Sequence, residues 1–302
     1  MTVFPIPLRA RRRALLAGLA LTVLAGCAAP PDRATAGPAP GDADAAWLAQ
    51  LQRWQGVPVL LLGEQHDVPA HQQWEQATVQ WLAARGRLAA LVLEMAEAGT
   101  ATDGLPPTAS ADAVRARLRW NERLWPWEHY AGAIMAAVAA GVPVRGANLD
   151  AAALRAALQD ATLDAHLPPP ALARQRRAIE DGHCGLLPPA RVQPMVRVQL
   201  ARDASFARQL QQSLQPERTA LLLAGGGHVL RDLGVPTWLP PGLESKVALA
   251  HVYQGQPATE KGADYRHATD APPASDHCAG LRGRWPGGAP ASSSDAPAPS
   301  AR

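Results

Sequence analysis

Two short turns carry the residues best suited to chemistry. Gly63-Glu64-Gln65-His66-Asp67 and Gly225-Gly226-Gly227-His228 each place a histidine three residues after a glycine, and each follows an apolar run of strand length. His71 stands five residues beyond His66. A third run, over 89–93, ends in Glu94, and a fourth leads into Gly146-Ala147-Asn148. Neutral imidazole with carboxylate suits a divalent metal such as Mn, Co or Zn, or iron, with His66 and His228 as the metal-binding pair. The same groups, Glu64, His66, Glu94 and His228, also suit general acid and base work, because burial shifts carboxylate pKa values. The triple glycine over 225–227 lacks the G-x-G-x-x-G order and no Lys-Ser/Thr follows it, so neither dinucleotide nor Walker-type phosphate binding is read here.

Trp120, Trp125, Trp127 and Tyr130 cluster with Glu128 and His129 just before a helical stretch. They read either as core and helix-start packing or as an aromatic wall for a flat ligand. In the second case Tyr130 lies near the mouth of a crevice, as a phenolate of the kind haem iron accepts.

These groups need a scaffold that brings strand ends together. Apolar runs over 57–62, 89–93, 142–144, 219–224 and 246–252 have strand length, and several do not alternate with polar residues, which fits strands covered on both faces. Stretches 70–85 and 127–140 are long enough for crossover helices. This rhythm predicts an α/β fold, a mostly parallel sheet flanked by helices. Segment 151–215 breaks it with Ala, Arg and Gln. Val192, Met195, Val196, Gln199, Leu200, Asp203, Phe206 and Leu210 follow helical spacing there, so a long helix over about 189–214 is expected within a helical insertion. In an open parallel sheet ligands bind beyond the carboxyl ends of the strands, so Glu64, His66, Glu94, Asn148 and His228 are expected on one edge.

The N-terminus reads as an export signal. Arg9, Arg11, Arg12 and Arg13 precede an apolar run over 14–25, and Leu24-Ala25-Gly26 leads into Cys27. Twelve helical residues rise only about 18 Å, short of the roughly 30 Å hydrocarbon core, which favours a cleaved segment over a spanning one. Small residues directly before a cysteine resemble a lipobox, so 1–26 is expected to be removed and Cys27 lipidated. Ala28 follows in place of an aspartate, which favours the outer membrane, periplasmic face. Residues 1–26 hold four arginines and no acid, so the +3 of the whole chain becomes −1 without them. That removes the case for a nucleic-acid partner. Stretches 27–45 and 285–302 are rich in Ala and Pro and poor in large apolar residues. They are expected to be a flexible tether and a disordered tail around an α/β domain over 46–150 and 216–284.

With Cys27 lipidated, Cys184 and Cys278 remain. An oxidising compartment favours their pairing as a disulfide, while a histidine beside each leaves a second metal site open.

Leu61-Leu62-Gly63-Glu64-Gln65-His66-Asp67, Leu91-Val92-Leu93-Glu94-Met95, Trp127 with Tyr130, Gly146-Ala147-Asn148-Leu149, His183-Cys184-Gly185, Gln199 with Arg202-Asp203, Gly225-Gly226-Gly227-His228 and Ala263-Asp264-Tyr265 through Cys278 together resemble the ChaN family of iron-regulated lipoproteins. The resemblance runs over about 50–280. It implies an α/β domain with a smaller helical domain and haem held at a dimer interface, with an outer-membrane haem or iron receptor as partner. With no C-x-x-C-H, haem would be held without covalent bonds. The wider superfamily includes Tiki-like, TraB-like and erythromycin-esterase-like proteins, whose resemblance implies instead a metal-dependent hydrolase using Glu64, His66, Glu94 and His228.

Overall fold

The computed structural model describes residues 40–253, 262–271 and 277–284. The expected signal peptide, Cys27 and the tail over 285–302 lie outside the described residues. Most of the expected tether does too, but its last residues open a helix, α1 (Pro40–Arg53). Ala43, Trp47 and Leu51 recur every four residues and are all buried, so this stretch has a face to dock. Two of the three are alanine and leucine in an Ala-rich context, which hid the periodicity behind Trp47.

Among the described residues six strands form one sheet: β1 (Val59–Glu64), β2 (Leu88–Glu97), β3 (Val144–Asn148), β4 (Thr219–Gly225), β5 (Ser245–Val252) and β6 (Tyr265–Thr269). Their order is β3-β2-β4-β1-β5-β6, and every neighbouring pair is parallel. Five strands match the expected runs. β3 begins where its run was expected to end, because its later half, Arg145-Gly146-Ala147-Asn148, is not an apolar run. β6 had no apolar run to announce it; Tyr265-Arg266-His267-Ala268-Thr269 is an edge strand.

Helices cover both faces. On one lie α2 (Pro69–Ala84), α3 (Ala111–Arg117) and α4 (Trp127–Ala139), and on the other α5 (Ala151–Gln159), α6 (Pro169–Gly182) and α7 (Pro189–Gln212). Successive strand residues divide between the two cores. Leu60, Leu62, Leu91 and Leu221 pack with Trp74, Val79 and Ile134, whereas Val59, Leu61, Val92 and Leu222 pack with Val196, Leu200 and Phe206. Both sides of β1, β2 and β4 are therefore apolar, as the unbroken runs foretold. The segment 151–215 is helical, and its longest helix, α7, lies on the main sheet.

Local sequence sets the helix starts. Pro69 and Pro189 occupy first-turn positions where a missing N–H costs nothing, and Asp150 accepts from the Ala153 amide at 2.8 Å. After β4 comes a single turn, α8 (Gly226–Val229), which carries His228. The chain's last described helix, α9 (His277–Arg284), is joined to the end of α6 by the Cys184–Cys278 disulfide, Cα to Cα 5.7 Å. The cysteines pair with each other, which decides between the two alternatives.

Candidate functional site

The register of the sheet builds the site. Glu64, the last residue of β1, pairs with Gly225, the last of β4, and Leu93 of β2 pairs with Leu223 of β4. β1 and β4 thus stop level, and Glu94 lies at the same height on β2, which runs on to Glu97; Glu94 accepts the backbone N–H of Gly225 at 2.8 Å. Glycine leaves room at two positions of this edge. A Cβ on Gly225 would stand 3.0 Å from His66 Nε2, and one on Gly63 would fall 2.4 Å from Val229 Cγ2.

On this edge acids and imidazoles alternate. His66 Nδ1 lies 2.7 Å from Glu64 Oε1, and His66 Nε2 lies 3.6 Å from Glu94 Oε2. The other Glu94 oxygen is 3.5 Å from His228 Nε2, and His228 Nδ1 is 2.5 Å from Asp203 Oδ1 on α7. Tyr130 donates its phenol hydrogen to Glu64 Oε1 at 2.8 Å, and Gln72 donates to the other Glu64 oxygen. The Gln199 amide nitrogen is 3.0 Å from one ring nitrogen of His228 and 3.2 Å from the other.

Burial and charge work against each other here, and charge prevails for the histidines. Burial pulls the His66 pKa down, but the hydrogen bond to Glu64 and the negative charges of Glu64 and Glu94 outweigh it and raise the value to about 10. His228 is likewise raised to about 9, because Glu94 and Asp203 overcome its burial. Glu94 is held well below the usual carboxylate range, burial being outweighed by the two histidines. Asp203 goes the other way. Its burial dominates His228's attraction and lifts it to about 6. Burial and the negative charge of Glu64 push Tyr130 up. At neutral pH both imidazoles of the row are protonated, so His66 must give up its Nε2 proton to bind a metal.

Five of the six expected binding residues meet in this network or brace it directly, and their roles divide by exposure. The His66 side chain is 32 % exposed, against 0 % for Glu64, 5 % for Glu94 and 6 % for His228. Tyr130 is 1 % exposed, so it lies behind His66 and not at a crevice mouth. The sixth, Asn148, donates to the Glu94 backbone carbonyl at 2.9 Å and accepts the Leu149 amide, which ties β3 to β2. From the tryptophan cluster, Trp125 sets its ring edge-on to His66 with centroids 4.7 Å apart, while Trp120 and Trp127 pack on the core. His66 and His228, the expected metal pair, stand on either side of Glu94. Among the described residues no group of three or more His, Cys, Asp or Glu side chains is arranged to hold a metal ion.

Asp203, Gln199 and Gln72 were not among the expected site residues. A signal for the first two was present: both sit on the apolar face of α7, in series with Leu200 and Phe206, where a polar group needs a partner.

A family model described as haem-binding uptake, Tiki superfamily, ChaN, matches residues 50–239, which include both glycine–histidine turns, Glu94 and Asp203. This chain belongs to the ChaN family. Membership supports haem binding and uptake in general, with haem as the cofactor. A solved structure described as cofacial heme binding to ChaN of Campylobacter jejuni is similar in fold, with a TM-score of 0.59 and 20 % identity over 73 % of this chain and 90 % of that one. The type III effector HopBA1 also aligns, with a TM-score of 0.41 and 14 % identity over 70 % of this chain and 88 % of that one. No curated protein matches.

One ring nitrogen on this edge is open to a ligand. His66 Nε2 is farther from Glu94 than a hydrogen bond, its ring is part-exposed, and its other nitrogen is held by a carboxylate. A carboxylate on the second nitrogen is what orients and strengthens a ligating imidazole. Glu64, Glu94, His228 and Tyr130 are buried.

Proposed function

We propose that this chain binds haem without covalent attachment at the strand-end edge around His66, and hands it on in uptake as a lipoprotein. The observation that carries the reading is the family match over 50–239, whose two glycine–histidine turns meet on Glu94. His66 is the donor, Glu64 fixes its ring, and Trp125 offers an apolar edge to a flat ligand. When bound, haem would supply an iron centre that a nitrogen donor can ligate. Gly225 keeps the space beside Nε2 clear, and Glu94 holds the two turns together.

The rest of the reading concerns address and partners. Lipid on Cys27, at the periplasmic face of the outer membrane, would keep this edge near a haem or iron receptor, and a second copy of the chain could share the haem. Adding hemin to the purified chain is expected to give a saturable Soret band. Labelling with an alkyne fatty acid is expected to mark the wild type and not Cys27→Ser. A spectrum without saturation would overturn the haem reading, and an unlabelled wild type would overturn the anchor.

The second reading, a hydrolase using Glu64, His66, Glu94 and His228, is favoured by one observation. The acid–imidazole row is more extensive than a single ligand needs. It expects ester or peptide turnover, with or without added Mn, Co or Zn, that His228→Ala abolishes; no turnover over a broad substrate panel would remove it.

A further inference from the structure

His71 lies on α2 next to the site yet takes no part in the row of acids and imidazoles. It is fully buried, at 0 % exposure, and both ring nitrogens are engaged. Nδ1 accepts the backbone N–H of Gln65 at 2.9 Å, and Nε2 lies 3.1 Å from Thr269 Oγ1. An amide only donates, so Nδ1 carries no proton, and the one proton of the neutral ring is on Nε2, donated to the threonine. Gln65 sits between Glu64 and His66 in the turn that aims the site. Thr269 is the last residue of β6, which among the described strands pairs with β5 alone. The hydroxyl of Thr269 passes the chain on to the His251 carbonyl at 3.4 Å.

The surroundings favour the neutral ring. Glu64 and Asp67 from the turn, His251 from β5 and His267 from β6 all act on it. Burial outweighs the two acids and takes the His71 pKa down to about 4. His267 in turn stacks on Trp74 with centroids 5.0 Å apart and lies 3.5 Å from Asp44, so β6 is held from α1 and α2 as well.

We infer that His71 is a positioning residue whose neutral ring pins the turn carrying His66 to edge strand β6, so that His66 stays aimed only while β6 is docked. The part of this read through hemin rests on the haem reading; the part read without it does not.

The first measurement uses the 15N-labelled full chain without hemin. The His71 ring is expected to show its proton on Nε2. The Gln65 amide is expected to exchange at least about ten-fold more slowly in the wild type than in His71→Gln, the scale of one net hydrogen bond. His71→Asn places an amide oxygen where Nδ1 was and keeps the protection, whereas His71→Gln reaches past that point toward Thr269 and loses it. In hemin titrations His71→Asn is expected to stay within about three-fold of the wild type and His71→Gln to weaken about ten-fold. Equal behaviour of the two variants, or a wild-type ring protonated on Nδ1, or a freely exchanging Gln65 amide, would overturn the inference. The two wild-type readings stand even if a variant fails to fold. Amide and ring results as expected in a chain that binds no hemin would support the inference and overturn the haem reading.

Discussion

Glu64 holds His66 from below: its Oε1 is 2.7 Å from Nδ1 and also takes the phenol hydrogen of Tyr130, while its own side chain is wholly buried. A partly exposed imidazole is thereby locked in one orientation by an acid that solvent does not reach. Because Glu64 and Glu94 are what raise the His66 pKa to about 10, Glu64→Gln is expected to bring it down toward its ordinary 6.5. An NMR titration of the ring would check this, and an unmoved titration would show that Glu94 alone sets the charge. The variant is also expected to lose roughly 1–3 kcal/mol of stability, the scale of a hydrogen bond to a charged group when one partner is part-exposed.

Stability should peak near pH 6.5 and fall on both sides. His66 and His228 have folded pKa values of about 10 and 9, above the 6.5 of the unfolded chain, so their contribution is complete below 6.5, declines steadily above it and is gone once pH has risen through 9 to 10. His71 and His267 are depressed to about 4, so their neutral forms cost stability as pH falls from 6.5 through 4. Glu94, held well below its ordinary range, adds to the acid loss. Asp203, raised to about 6, and Glu75, raised by burial, pull the other way in acid and soften that side of the curve. Thermal melts from pH 4 to pH 10 read the outcome; a melting temperature highest at pH 5 would contradict it.

The glycines of the site turns act by leaving room. Gly63→Ala drives a methyl to 2.4 Å from Val229 Cγ2 and 2.8 Å from Leu249 Cδ1. The expected loss is roughly 1–3 kcal/mol, as for other overpacked cores. Gly234→Ala should cost more, since its methyl would meet the His228 carbonyl oxygen at 2.0 Å and backbone cannot swing aside. Gly182→Ala, with nothing within 4 Å, is the control and should be neutral or slightly stabilising. Urea denaturation ranks the three.

Cys278→Ser opens a loop closed across a sequence separation of 94. In the chain-entropy model that costs about 4–5 kcal/mol, seen as a lower melting temperature that dithiothreitol reproduces in the wild type. Hemin affinity measured well below that melting temperature should be kept, because neither cysteine touches the His66–Glu94–His228 row.

Much of the scaffold was legible because both faces of the sheet are covered. Val59-Leu60-Leu61-Leu62 and Thr219-Ala220-Leu221-Leu222-Leu223 must be apolar throughout, and unbroken runs are easy to see. β6 was missed because Arg266 and His267 interrupt its apolar residues, although His267 is buried against Trp74. The convergence of Glu64, His66, Glu94 and His228 followed from strand direction alone, since parallel strands deliver their carboxyl ends to one edge. The depth of each group did not. Whether Tyr130 faces a ligand or the back of Glu64 depends on how α4 packs on β1, and spacing along the chain carries no trace of that. Asp203 shows the intermediate case, an acid visible on an apolar helix face whose partner, His228, is 25 residues away and known only from the fold.

The central claim is that haem is held through His66, and a hemin titration comparing the wild type with His66→Ala and Trp125→Ala tests it most directly. Circular dichroism would establish that each variant is folded. The wild type is expected to give a saturable Soret band whose position reports a nitrogen ligand, His66→Ala to lose that band position and weaken at least about ten-fold, and Trp125→Ala to weaken without a change of ligand. A folded His66→Ala chain that binds hemin with the affinity and spectrum of the wild type would contradict the account.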